Sequence, residues 1–149
     1  MTTIVRDGAF HGDDLSEEHG FRWVEFESLL AGDVTVDDEI GVRLPNSADP
    51  SVAIDHVLGV DAVSIPFPSF ADGRGFGLAR WLRRLGYEGR LRATGHLIAD
   101  QYAFALRCGF DEVEISDDLA ARQDESQWKV QVPRGAGQQS YQDRLRKSA

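Results

Sequence analysis

Residues 62–115 read AVSIPFPSFADGRGFGLARWLRRLGYEGRLRATGHLIADQYAFALRCGFDEVEI, and their hydrophobic pattern decides the fold class. Ala62 to Phe67 is a continuous apolar run of strand length, as expected of a strand covered on both faces. After Ser69-Phe70-Ala71-Asp72-Gly73, Leu78, Trp81, Leu82 and Leu85 recur at helical spacing, with Arg80, Arg83 and Arg84 opposite and Gly86 as a stop. Arg90 to Thr94 alternates like a strand. Gly95 follows, and a helix is predicted from Ile98 to Cys108, with Ile98, Tyr102, Ala105 and Leu106 facing inward. Gly109 ends it, and Phe110 to Ile115 is the next strand.

Upstream, Ile40 to Leu44 reads as a strand closed by Pro45-Asn46. A helix follows, capped by Ser47 or Asp49, with Pro50 in its first turn and Gly59 at its end. Strands alternating with helices over short links predict an α/β fold: a mainly parallel sheet of about four strands, doubly wound or partly β/α-barrel-like. Residues 21–31 carry both helical spacing (Trp23, Phe26, Leu29, Leu30) and strand alternation (Phe21, Trp23), and 32–39 read as an acidic turn. The expected organisation is a poorly ordered acidic arm over 1–20, one α/β domain over 21–132, and a flexible tail over 133–149 ending in the helix-like YQDRLRKSA. Within the domain, Trp128 to Val132 is an expected edge strand.

The chain has 149 residues, 42% of them apolar and 28% charged, a composition suited to one domain with a real core. Its apolar runs are far shorter than a membrane span. One cysteine, Cys108, admits no internal disulfide, and the opening MTTIVRDGAFHGDD lacks an apolar leader core, so the expectation is a cytoplasmic protein. The net charge of −9 argues against nucleic-acid binding. Charge is unevenly spread: residues 1–70 net −11, residues 71–110 net +4 and residues 111–149 net −2. The basic middle segment can present a local anion site, or its arginines can form a solvated helix face.

In a parallel sheet, ligands bind outside the C-terminal ends of the strands. The loop Phe70-Ala71-Asp72-Gly73-Arg74-Gly75 follows a strand and opens a helix. Asp72, Gly73, Arg74 and Gly75 are therefore candidate anion-binding residues, through helix-terminal amides and a guanidinium clamp. The plainer alternative makes Asp72 a helix cap and the glycines servants of the turn. The loop is neither a P-loop nor a dinucleotide fingerprint, so no cofactor motif is evident. His96, Asp100 and Gln101 form a second polar cluster at a helix start, readable as an acid/base pair with its neighbour or as helix capping. No metal site is expected. Cys108 lies near a helix C-terminus, where the dipole disfavours a thiolate, and reads as a small core residue.

The runs FADGRGFGLARWLR (70–83), LRATGHLIADQ (91–101) and RCGFD (107–111) resemble an uncharacterised bacterial family assigned to sulfite reduction as oxidoreductases. Genes of that family accompany an assimilatory nitrite/sulfite reductase. The resemblance spans roughly residues 25–120. It implies a pathway, sulfur assimilation, and a partner, the sulfite/nitrite reductase; it implies no reaction and no catalytic residues. Three functions follow: an accessory protein of sulfite reduction, a small enzyme binding an oxyanion or phosphorylated metabolite at the 70–75 loop, and a nicotinamide- or flavin-dependent oxidoreductase. A chain with one cysteine does not hold an iron–sulfur cluster in the usual cysteine-rich way.

Overall fold

The structure, a computed structural model, describes residues 2–34 and 39–132. The chain opens with β1 (Thr2–Arg6) and β2 (Ala9–His11), passes a 3₁₀ turn at Glu17–His19, and continues through β3 (Arg22–Glu25) and α1 (Phe26–Leu30). Then come β4 (Ile40–Arg43), α2 (Pro50–Val57), β5 (Ala62–Phe67), α3 (Arg74–Arg84) and β6 (Arg90–Gly95). A 3₁₀ turn at Ala99–Gln101 leads into α4 (Tyr102–Cys108), followed by β7 (Glu112–Ser116), α5 (Asp117–Arg122) and α6 (Glu125–Lys129).

All seven strands join one sheet in the order β2-β1-β7-β6-β5-β4-β3. From β3 to β7 the strands are parallel and lie in chain order, each joined to the next through a helix. The sheet is open, with edges at β2 and β3, and its strand order lacks the reversal of a doubly wound sheet. The α/β expectation holds, but the strand count does not: seven strands form where about four were expected.

The three additional strands come from two stretches of the chain. Residues 2–11, expected to be poorly ordered, form a hairpin whose Asp7 and Gly8 both take positive φ (55° and 77°), as the tight two-residue turn between paired strands requires. β1 inserts beside β7, antiparallel to it, and buries Ile4 and Val5 completely. Residues 21–31 satisfy both of their competing patterns, the first half as β3 and the second as α1.

Alternation along the strands separates the two faces of the sheet. Val24, Val42, Val63, Ile65, Leu91, Ala93, Val113 and Ile115 join helix residues such as Leu29, Val57, Leu78, Leu82 and Tyr102 in one core. On α3 the buried stripe is Gly75, Leu78, Ala79 and Leu82. Trp81 and Leu85, expected inside, are 51% and 41% exposed, because the stripe is centred about one residue off the sequence expectation. Arg83 is not a solvated helix residue: it donates to the Gly109, Tyr87 and Gly89 carbonyls at 2.8–3.0 Å and pairs with Asp111 at 2.8 Å.

The expected edge strand over 128–132 is instead the end of α6 and a turn. Trp128 is fully buried, its ring edge-on to Tyr102 at 5.5 Å, and its indole N–H donates to the Gln123 carbonyl at 3.0 Å. Tyr102 in turn accepts from the Gly8 amide at 3.1 Å, locking the hairpin to α4 and α6. Burial pushes the Tyr102 hydroxyl up to about 12. The tail expected over 133–149 lies outside the described residues.

The opposite face of the sheet is polar and partly covered by residues 13–21. Leu15, Phe21 and Ala62 pack with Trp23, whose Nε1 donates to the Leu15 carbonyl at 2.9 Å. Gly41 lets that ring lie on β4, since a Cβ there would meet the Trp23 ring at 2.6 Å. At the centre is Arg92, fully buried. It donates to Glu112 at 2.6 Å, Glu114 at 2.9 Å and Asp13 at 2.9 Å, and its guanidinium lies 5.5 Å from the Trp23 ring centre. Arg90 pairs with Asp14 at 2.8 Å. Among the described residues the Glu112 Oε1 atom takes no hydrogen bond, and it lies 3.5 Å from Arg90 and 3.6 Å from Arg6. Burial pushes the Glu112 carboxyl up, opposed by Arg92, Arg90 and Arg6.

Trp128→Ala is expected to lower stability by about 3–5 kcal/mol, seen as a lower urea midpoint; a loss under about 1 kcal/mol would contradict the packing of α6 against α4. Arg92→Met is expected to lose about 3–5 kcal/mol near neutral pH, because it deprives the buried Glu112 of its hydrogen-bonded cation. Without the guanidinium the folded-state pKa of Glu112 rises further above its unfolded value. The variant's folded form is therefore favoured while Glu112 is protonated, and stability falls as pH rises from the unfolded pKa towards the folded one. Urea titrations at acidic and neutral pH should show the deficit growing with pH; a pH-independent deficit would contradict the role of Glu112.

Candidate functional site

A cavity of about 600 Å³ opens at the C-terminal ends of β6 and β7. Two chain turns shape it. At the end of β6, Gly95 has a φ of 102°, and a Cβ there would stand 2.7 Å from the Phe67 carbonyl oxygen, so only glycine fits. His96 then donates its backbone N–H to that same carbonyl at 2.9 Å, which fixes the loop at the cavity mouth. At the end of β7, Ser116 caps α5 by accepting from the Leu119 amide at 3.2 Å, and so aims Leu119 and Arg122 at the same space.

Two glutamines tie the rim together. The Gln123 side-chain oxygen accepts from the Ala99 amide at 2.7 Å, joining the chain after α5 to the loop after β6. Gln101 accepts from the Ile98 amide at 3.1 Å and donates to the Phe70 carbonyl at 2.8 Å, joining that loop to the one after β5.

Phe70, Ile98, Ile115 and Leu119 give the cavity apolar walls; Thr2, His96, Glu114, Ser116, Arg122 and Gln123 give it polar ones. Arg122 is exposed and makes no ion pair among the described residues. Glu114 is held from behind, its Oε1 accepting from Arg92. An apolar enclosure of this volume with a few convergent polar groups is the usual form of a small-molecule site. Further along the same end of the sheet is a second cavity of about 430 Å³, lined by residues including Glu25, Glu27, Arg43, Ser64, Pro66 and Thr94. There the cation is engaged, Arg43 pairing with Glu25 at 3.1 Å.

The candidates from sequence divide between these surroundings. His96 lines the larger cavity. Asp100 is exposed, makes no hydrogen bond to His96 among the described residues, and does not line the cavity. Gln101 is a brace for the rim. In the 72–75 loop, the Arg74 guanidinium forms a two-point pair with Asp72 at 2.8 and 3.0 Å, and Asn46 donates to the same carboxylate at 3.1 Å. The Arg74 hydrogen bonds hold the Asp72 carboxyl well below its usual range. Gly75 is buried where a Cβ would meet the Phe67 ring at 2.6 Å, and Gly73 precedes the first turn of α3. None of residues 72–75 lines the cavity over β6 and β7.

Six lining residues escaped the sequence reading: Thr2, Glu114, Ser116, Leu119, Arg122 and Gln123. Ser116 followed by Asp117-Asp118 is a capping signal that could have announced α5. Cys108 is buried, and burial pushes its thiol up. Among the described residues, no group of three or more His, Cys, Asp or Glu side chains could hold a metal ion, and no helix is long and apolar enough to cross a membrane.

Neither a search of curated proteins nor one of solved structures gives a match to this chain. A family model does: "Bacterial protein of unknown function (DUF934)" matches residues 41–148, a span that starts within β4, runs through α6 and contains every cavity-lining residue except Thr2. The chain belongs to this DUF934 family of bacterial proteins.

Proposed function

We propose that the protein is an accessory protein of assimilatory sulfite reduction, working beside the sulfite/nitrite reductase, and that it binds a small metabolite bearing an anionic group in the cavity over β6 and β7. The observation that carries the binding reading is Arg122, an exposed guanidinium at a largely apolar cavity with no carboxylate partner among the described residues. A planar fork of donors at such a site suits a carboxylate, sulfite or phosphate group. His96 and the hydroxyls of Thr2 and Ser116 add polar contacts around it. The pathway reading is supported by the runs 70–83 and 91–101, which carry the resemblance to the sulfite-reduction family and contribute Phe70, Gly95, His96 and Ile98 to the cavity.

The other reading places an oxyanion or phosphorylated metabolite on the loop Asp72-Gly73-Arg74-Gly75. Its basis is the N-terminus of α3, and its difficulty is that the Arg74 guanidinium is already engaged by Asp72. Melting curves separate the two. Sulfite, sulfate, phosphate or propionate at tens of millimolar should raise the melting temperature, since a ligand at 100 times its dissociation constant adds about 2.7 kcal/mol. For a chain of this size that is a shift of several degrees.

Arg122→Ala should abolish the shift and Arg74→Ala should leave it. The reverse pattern would move the site to the 72–75 loop, and no shift with any anion would overturn the binding reading. The pathway half has its own test. The tagged protein, isolated from cells growing on sulfate, should carry the sulfite/nitrite reductase with it; a preparation free of that enzyme would contradict the partnership.

A further inference from the structure

The charges behind the cavity say more about its ligand than Arg122 does. On the polar face of the sheet, Arg6, Arg90 and Arg92 are shared among Asp13, Asp14, Glu112 and Glu114, three cations against four carboxylates. Of the four, Glu114 is the one that lines the cavity. Its Oε1 is fixed by Arg92 at 2.9 Å, and its side chain keeps 28% of its exposure. Its second oxygen takes no hydrogen bond among the described residues. The cavity is therefore lined by a carboxylate held at one oxygen and still partly accessible, together with Arg122, which has no ion-pair partner among the described residues. A ligand carrying only an anion would leave the second Glu114 oxygen without a partner and would be repelled by it. A ligand with an ammonium as well as an anion satisfies both groups, and the apolar residues of the lining ask for a hydrocarbon portion beside them.

We infer that the cavity is built for a free α-amino acid, its carboxylate on Arg122, its ammonium on Glu114 and its side chain against Phe70, Ile98 and Leu119. This rests on the reading that the cavity binds an anionic metabolite and narrows it to one chemical class. Hydroxyls of Thr2 and Ser116 stand within the same lining, where they complement the polar head of such a molecule.

The test is a calorimetric titration of the full chain with the common L-amino acids. For the tightest of them, two half-molecules are then titrated: the acid lacking the amino group and the amine lacking the carboxylate. At least one amino acid should bind, and each half-molecule should bind roughly tenfold or more weakly, the loss expected for one charged contact. Glu114→Gln keeps an acceptor for Arg92 and should bring the amino acid and its des-amino acid to similar affinities, whereas Arg122→Ala should weaken both together.

If the des-amino acid binds as tightly as the amino acid to the unaltered protein, the amino-acid inference is overturned while the anion reading stands. If no amino acid binds but sulfite or propionate does, the outcome is the same. If nothing with a carboxylate or oxyanion binds, both fall.

Discussion

Arg92 is the residue on which the polar half of this molecule depends. A fully buried guanidinium is tolerated only when its donors are matched, and here they reach Glu112 and Glu114 on β7 and Asp13 on the segment before β3. The interaction therefore does three things at once. It holds neighbouring strands in register on their non-helical face, fastens residues 13–21 over that face through Asp13, and fixes the orientation of a carboxylate at the mouth of the large cavity. The face packed by helices needs no such device, because Val63, Ile65, Leu91, Ala93 and their neighbours bury apolar surface against the helices. One side of the sheet is secured by non-directional burial and the other by a directional charge network, and the cavity at the strand ends draws on both, with Ile115 and Leu119 from the first and Glu114 from the second.

The topology explains why the cavity lies where it does. Five parallel strands in chain order direct all their C-terminal ends to one edge, where each chain must turn towards its helix. At β6 that turn is made by Gly95, the residue type that alone fits against the Phe67 carbonyl. At β7 the chain turns straight into α5 through the Ser116 cap and brings Arg122 back over the strand ends. β1, antiparallel to β7, adds Thr2 at the same end. The site thus draws on both extremities of the described chain and on the block between them, and its rim is joined by the side-chain amides of Gln101 and Gln123.

Much of this was legible in the sequence. The units from Ile40 to Ile115 appear as their periodicity indicates, including Pro50 in the first turn of α2 with Asp49 as its cap. The misplacements have physical causes. The acidic, glycine-bearing opening resembles a solvated arm by composition, yet Asp7-Gly8 between TTIVR and AFH is a hairpin signal of a strength that composition masks. Trp128-Lys129-Val130-Gln131-Val132 alternates like a strand, but Asp124 caps a helix and Tyr102 offers the Trp128 ring a buried edge-on partner. His96 was identifiable because it follows a glycine at a strand end. Arg122 and Glu114 were not, because their meaning depends on which charges they lack or share. Arg74 looked like the available cation of its loop, and only the geometry reveals that Asp72 already holds it.

The proposed recognition site lies over the ends of β6 and β7, between the Arg122 guanidinium, without an ion-pair partner among the described residues, and a carboxylate held by Arg92. Amide chemical-shift mapping on isotopically labelled protein, titrated first with sulfite and then with the tightest-binding amino acid, tests it most directly. Shifts are expected to concentrate at Gly95, His96, Ser116, Arg122 and Gln123 with both ligands, and at Glu114 with the amino acid. Shifts gathered at residues 72–75, or scattered over the surface without a centre, would contradict it.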